Sequence, residues 1–228
     1  MPELPGRDGF EAQLAKVMAR LLSAYSGRLL ELLGDPPNIN NLTPEFWQNE
    51  SEVMIEAMRP LLEKMYLEAA KEVMIASPSA VDWALVNQAA VDWAAGYAFD
   101  LVKGLNSTTM QALQKVLASY FEKPTTMGQL SARILELVGS PIRAEMIAVT
   151  EVTRAASEGE QAIARELARQ GIIMTPFWNT NRDELVCPIC EPRNNQEITD
   201  GMFPPAHPRC RCWVNYELPK PGRRMGQQ

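Results

Sequence analysis

Cys187-Pro188-Ile189-Cys190, a proline-rich loop, and then His207-Pro208-Arg209-Cys210-Arg211-Cys212 form the stretch on which the reading of this chain turns. All four cysteines and the only histidine of the 228 residues fall within it. Cys187/Cys190 and Cys210/Cys212 are two close pairs of soft donors, separated by a loop able to fold back. A Zn2+ ion takes four tetrahedral thiolate or imidazole ligands. A two-residue gap lets both thiolates of Cys-x-x-Cys reach one ion while neighbouring amides donate to the sulfurs. His207 is a fifth candidate, so one of Cys187, Cys190, His207, Cys210 and Cys212 is spare. Cys187, Cys190 and Cys212 are the firmest of the set, and the choice between His207 and Cys210 stays open.

Two other readings of the cysteines compete with a structural zinc. A redox Cys-Pro-Ile-Cys works at a helix N-terminus beside a βαβ unit, and neither is expected around residue 187. A pair of disulfides requires an oxidising compartment, whereas the start of the chain, Met1-Pro2-Glu3-Leu4-Pro5-Gly6-Arg7-Asp8, predicts no signal peptide. Zinc catalysis would require an open coordination position and usually a general base, and no His-Glu-x-x-His or His-x-Glu pattern occurs. With a single histidine, any Ser-His-Asp or Cys-His mechanism would have to run through His207. The sequence therefore predicts a protein that is not an enzyme and takes no small-molecule substrate.

The segments flanking the cysteines read as strands. Ile172 to Thr180 is β-branched and aromatic and too short for a helix, and Trp213 to Leu218 alternates. An antiparallel pairing of the two would bring both cysteine pairs to one end of a small sheet. Eight of the seventeen prolines lie between Pro176 and Pro221, so the connection between these strands must be mostly loop. A segment with so few apolar residues of its own is the kind that a structural zinc can hold. Such ions contribute on the order of 10–16 kcal/mol in small zinc modules.

Everything before this is helical in pattern. With 46% apolar residues the chain can bury a core. Phe10, Leu14, Val17, Leu21, Tyr25 and Leu29 recur at helical steps until Gly34-Asp35-Pro36-Pro37. Thr43-Pro44-Glu45 starts a helix towards Ile75, with a kink or break expected at Pro60. Ser77-Pro78 launches a helix from Ala80 to Val102, closed by Gly104, and Ser107 begins the next. Val81-Asp82-Trp83-Ala84 and Val91-Asp92-Trp93-Ala94 repeat within it, and their tryptophans read as packing aromatics. Thr126 and Gln129 fit a capping box. A long helix from Pro141 to about Gln170 ends at Gly171, and on it Glu151 and Arg154 read as a solvated ion pair. The fold class is mainly α with a small α+β C-terminal module: a helical N-terminal body, a long helix, then a short antiparallel sheet stapled by zinc.

Thr150-Glu151, Arg154, Gly171, Trp178-Asn179-Thr180, Asp183, Cys187-Pro188-Ile189-Cys190, Pro204-Pro205-Ala206-His207-Pro208 and Cys210-Arg211-Cys212 follow one another in an order that resembles the phage head morphogenesis domain of Mu F-like minor head proteins. The resemblance covers residues 140 to 216, about the last third of the chain. It implies a morphogenesis domain over 140–218, with the zinc module at 172–218, and is compatible with the helical N-terminal region that the residue pattern predicts over 1–139. A flexible basic tail follows over 219–228. It also implies a minor structural component of a tailed-phage or prophage head, acting at or near the portal in head assembly, DNA packaging or DNA delivery. The partners would be portal and major capsid proteins, and the location the virion head, or the host cytoplasm during assembly.

Charge limits the alternatives. A net charge of −6 argues against nucleic-acid binding through the bulk of the surface, because phosphate neutralisation needs clustered Lys and Arg. Any DNA contact must be local. The candidates are Arg209, Arg211, Lys220, Arg223 and Arg224, which would make the C-terminal region a zinc-stabilised nucleic-acid-binding module. No window is long and apolar enough to predict a membrane span.

Overall fold

A computed structural model describes residues 5–75, 81–123, 125–181 and 186–218. The first helix, α1 (Arg7–Leu33), buries Leu14, Met18, Leu22, Tyr25, Leu29 and Leu33, one face at three- and four-residue steps. Gly34 then takes a φ of 75°, the left-handed value that ends a helix without a Cβ penalty. The second helix, α2 (Pro44–Ile75), starts where the Thr43 hydroxyl accepts the Phe46 N–H at 3.3 Å. Pro60 does not break it. The carbonyl left without a donor belongs to Glu56, and both residues are exposed, so water can serve that carbonyl while Met58 and Leu62 stay buried.

The expected stop at Gly104 and restart at Ser107 do not occur. One 40-residue helix, α3, runs from Trp83 to Glu122. Val86, Ala90, Ala94, Ala98 and Val102 are buried at four-residue intervals, and Thr109, Leu113 and Leu117 resume the same interval beyond the glycine. Continuous packing on one face outweighs the roughly 0.5–1 kcal/mol that a mid-helix glycine costs. The helix opens with the Asp82 carboxylate accepting the Ala84 N–H at 2.9 Å. The expected Ser77-Pro78 launch lies outside the described residues. Two further helices, α4 (Met127–Val138) and α5 (Pro141–Arg169), follow the expected boundaries. Thr126 and Gln129 form the capping box. At the end of α5, Ile172 N–H reaches the Leu167 carbonyl and Gly171 N–H reaches the Ala168 carbonyl, with Gly171 at φ 83°. No helix among the described residues is long and apolar enough to cross a membrane.

The expected strands are present as β1 (Thr175–Asn179) and β3 (Trp213–Glu217), antiparallel, with Trp178 opposite Val214 and Asn179 opposite Trp213. Between them in sequence, a two-residue strand, β2 (Gln196–Glu197), pairs with the other edge of β1 and gives the order β2-β1-β3. The sequence reading lacks β2, because two exposed polar residues carry no strand pattern.

The chain divides into two compact units that interleave in sequence. One takes in Asp8–Leu62 and Asp92–Ala148. A polar network runs through its packed helices. Arg28 grips the buried Glu50 carboxylate at 2.5 and 2.6 Å, and Asn106 accepts from Tyr25 and donates to Ser51. Burial, with the Glu50 charge beside it, holds the Tyr25 phenol above its ordinary range. The other unit takes in Met1–Arg7, Glu63–Val91 and Val149–Gln228. Its core joins Ala70 and Val73 of α2, Val86 of α3, Ile163 and Leu167 of α5, and Met174, Trp178, Val214 and Tyr216 around the sheet. Cys190, Cys210 and Cys212 belong to the same core.

Gly159 sets how closely α5 lies on α2 in this unit. A Cβ there would stand 2.1 Å from the Tyr66 carbonyl oxygen, closer than any contact can be. Gly159→Ala is expected to lower the unfolding free energy by about 1–3 kcal/mol or more, through forced separation of the two helices. A urea denaturation midpoint equal to wild type would contradict this packing.

Candidate metal centre

Because Asn179 faces Trp213, the chain leaving β1 and the chain entering β3 meet at one end of the sheet. The five donor residues gather there. Cys187 and Cys190 close a turn in which the Cys190 N–H meets the Cys187 carbonyl at 3.1 Å and its Sγ at 3.4 Å. The expected amide-to-sulfur bond is therefore present. His207 Nε2 lies 2.9 Å from Cys187 Sγ and 3.3 Å from Cys190 Sγ, and Cys190 Sγ lies 3.9 Å from Cys210 Sγ. Cys187, Cys190 and His207 form one group with donor atoms close enough to share an ion, and Cys190, Cys210 and Cys212 form a second. All four thiols are free. The Cys-Pro-Ile-Cys segment leads into a short 3-10 turn (Glu191–Arg193) and does not begin an α-helix.

The histidine is oriented as a ligand would be. Its Nδ1 meets the Pro208 carbonyl at 2.7 Å, so Nδ1 carries a hydrogen, and Nε2 faces the sulfurs. Burial works against protonation of the ring, but the Pro208 carbonyl and the Cys210 and Cys187 charges outweigh it and raise its pKa. Burial would also raise Cys187, yet amide donors from Cys190 and Ile189 bring it below the ordinary thiol value. Among the inner sulfurs the negative charge settles on Cys210, which accepts a hydrogen bond from Cys212. The pKa of Cys212 is raised by that same bond and by burial, and that of Cys190 by burial and the Cys210 charge. Four sulfurs and an imidazole nitrogen in such reach form a cluster that could hold a metal ion. A soft dication would displace the remaining thiol protons, so its uptake releases protons.

α5 fastens this cluster through side chains that carry no metal. Thr150 Oγ1 accepts the Arg209 N–H at 2.9 Å, and one turn later the Thr153 hydroxyl donates to the Cys210 carbonyl at 2.6 Å. Arg7, at the opposite end of the sequence, donates to Thr153 Oγ1 and to the Arg211 carbonyl at 2.8 Å. Two threonines and one arginine thus hold the backbone of Arg209-Cys210-Arg211. Arg7 and Thr153 have no place in the sequence reading, since nothing local marks a buried arginine or a mid-helix threonine as a clamp.

Arg209 and Arg211 line the cleft beside the cysteines, together with Asn181 and Val186. Lys220, Arg223, Arg224 and the remainder of the 219–228 tail lie outside the described residues, as does Asp183. The expected solvated pair on α5 is corrected: Glu151 Oε2 lies 3.6 Å from Arg154 Nε, but the Glu151 side chain is only 6% exposed. Tertiary cover over that face of α5 buries a residue whose helical charge pattern reads as surface.

Glu160, two turns further along α5, borders a small cavity with Arg7, Ser157, Cys212 and Trp213. Its Oε2 has no hydrogen-bond partner among the described residues. Burial pushes its carboxyl from 4.5 to about 8, against the Val214 amide and the Arg7 charge. No protein-family model, curated protein or solved structure matches the chain.

Two outcomes follow from the clamp and the buried acid. Thr153→Val should weaken metal uptake about 10- to 100-fold in a competitive chelator titration, the range seen when supports of metal ligands are removed. Unchanged affinity would contradict the clamp. Glu160 stays protonated in the folded chain over a range where the unfolded chain has ionised. Its stabilising contribution is complete below about pH 4.5 and is lost as pH rises towards 8. Wild-type stability should therefore fall over that window by on the order of a few kcal/mol more than that of Glu160→Gln. Parallel pH profiles of the two would contradict it.

Proposed function

We propose that this chain is a minor head protein of a tailed phage or prophage, acting at or near the portal in head assembly, DNA packaging or DNA delivery, with a structural zinc ion in its cysteine and histidine cluster. The observation that carries the reading is the convergence of residues whose order resembles the Mu F-like domain. Thr150 takes the Arg209 N–H, Trp178 lies in the core with Cys190, Cys210 and Cys212, and the Thr180 N–H meets the Asn194 side chain at 3.1 Å. Residues scattered between 150 and 212 in the sequence serve one small region, which gives a physical reason for that order.

The donor chemistry supports zinc among the metals. Thiolate and imidazole suit Zn2+, whereas calcium and magnesium seek oxygen ligands. Four of Cys187, Cys190, His207, Cys210 and Cys212 would hold the ion, and its contribution there is to cross-link the connection between β1 and β3. The role is one of fastening: the chain's own residues build a rigid module, and its helices offer surface to assembly partners. Phe99, Phe121 and Ile142 are exposed on α3 and α5 and are apolar side chains of the kind that anchor such contacts.

Elemental analysis of the purified chain should find about one zinc per chain. Zero zinc, with the fold retained in chelator, would remove the zinc claim. Co-expression with a portal protein of the same phage or prophage should give a complex that co-elutes on size exclusion. Consistent failure to co-elute would contradict the assembly role.

A further inference from the structure

The five donors do not divide as the two cysteine pairs suggest. Cys187-Pro188-Ile189-Cys190 and His207-Pro208-Arg209-Cys210 share one pattern: a donor, a proline, any residue, a cysteine. Each closes as a four-residue turn, with its fourth N–H bonded to its first carbonyl. The Cys190 N–H reaches the Cys187 carbonyl at 3.1 Å, and the Cys210 N–H reaches the His207 carbonyl at 3.2 Å. Proline suits the second position of such a turn because its φ is already near −65°. In the second turn the third residue, Arg209, has a φ of 62°, and the Thr150 hydroxyl holds its N–H. The first turn brings Cys187 and Cys190 together, and the two turns face each other. His207 Nε2 meets both sulfurs of the first turn, and Cys210 Sγ meets Cys190 Sγ.

Resting on the metal reading above, we infer that the ion is held by Cys187, Cys190, His207 and Cys210, two turns of one sequence pattern contributing two ligands each, and that Cys212 is not a ligand. Donor atoms around a tetrahedral zinc stand about 3.5–3.8 Å apart, given bonds of roughly 2.0–2.3 Å. The three measured separations, 2.9, 3.3 and 3.9 Å, bracket that spacing. Cys212 lies outside both turns, immediately before β3; it lines the cleft of the other four donors and also borders the cavity of Arg7 and Glu160. Its thiol lies within 4.8 Å of the Cys190 and Cys210 sulfurs, where it supports the Cys210 ligand. The set is three sulfurs and one nitrogen, in place of the four-cysteine set that the two close pairs suggest.

The test uses the full wild-type chain loaded with cadmium-113, which replaces zinc in thiolate sites and couples magnetically through each ligand bond. Two-dimensional cadmium–proton spectra should show coupling to the β-protons of Cys187, Cys190 and Cys210 and to the ring protons of His207, and none to Cys212. Coupling to the Cys212 β-protons, or its absence from His207 or Cys210, would overturn the assignment. A folded chain that takes up no cadmium would instead overturn the metal reading on which it rests. As a second measurement, Cys212→Ser loaded with Co2+ should keep the tetrahedral absorption band and the three-thiolate charge-transfer intensity of wild type. A drop of one third in that intensity would contradict the inference.

Discussion

Asn179 faces Trp213 across the sheet, so everything between them must leave β1 and return to the same end of the sheet to begin β3. That constraint governs the C-terminal unit. Among its described residues the returning segment holds only the two-residue strand β2 and one short 3-10 turn as regular structure, and its prolines remove amides that could have joined a ladder. Its fastening comes from three sources. The cysteines pack into the core with Trp178, Val214 and Tyr216. Thr150, Thr153 and Arg7 bind the backbone at residues 209–211. The donor cluster draws residues 187–190 and 207–210 together. The hydroxyl bonds are worth about 0.5–1.5 kcal/mol each, while a structural metal supplies roughly ten times that in small zinc modules.

These sources act on the same atoms. The Cys210 carbonyl accepts from Thr153 while the Cys210 sulfur touches Cys190, so one residue ties α5 to the turn formed by residues 187–190. Gly159, two turns along α5, brings that helix against the Tyr66 carbonyl of α2. The position of the cysteine and histidine cluster is thus tied through α5 to the helical part of its own unit. Glu160 lies along this line, with a buried and partly unpartnered carboxyl that would be costly in a region built for stability alone.

Local chemistry made much of this legible in the sequence. Gly34, Thr43, the Thr126–Gln129 box and Gly171 each mark a helix end through a side chain or a backbone angle that acts within four residues. The two longer strands were legible from their own β-branched and alternating patterns, and the gathering of Cys187, Cys190, His207, Cys210 and Cys212 from the donor chemistry of the residues themselves. Signals that depend on distant partners were not. Gly104 resembles a helix stop until the buried interval running from Val86 to Leu117 is known. Glu151 resembles a surface charge until its cover is seen. Arg7 meets the Arg211 carbonyl 204 positions away, a contact no sequence pattern announces. The partition of donors was readable in principle, since Cys-Pro-Ile-Cys and His-Pro-Arg-Cys repeat one pattern, but the close spacing of Cys210 and Cys212 hides it.

The central claim is that the cluster, once it holds a metal, fastens the segment between β1 and β3 to α5. Amide hydrogen exchange on the full chain, metal-loaded and after chelation, measures this directly. The account predicts that removing the metal speeds exchange in peptides covering residues 186–218, above all at the amides of Cys190 and Cys210, while peptides from α1 keep their protection. Identical exchange across residues 186–218 in the two states would contradict it.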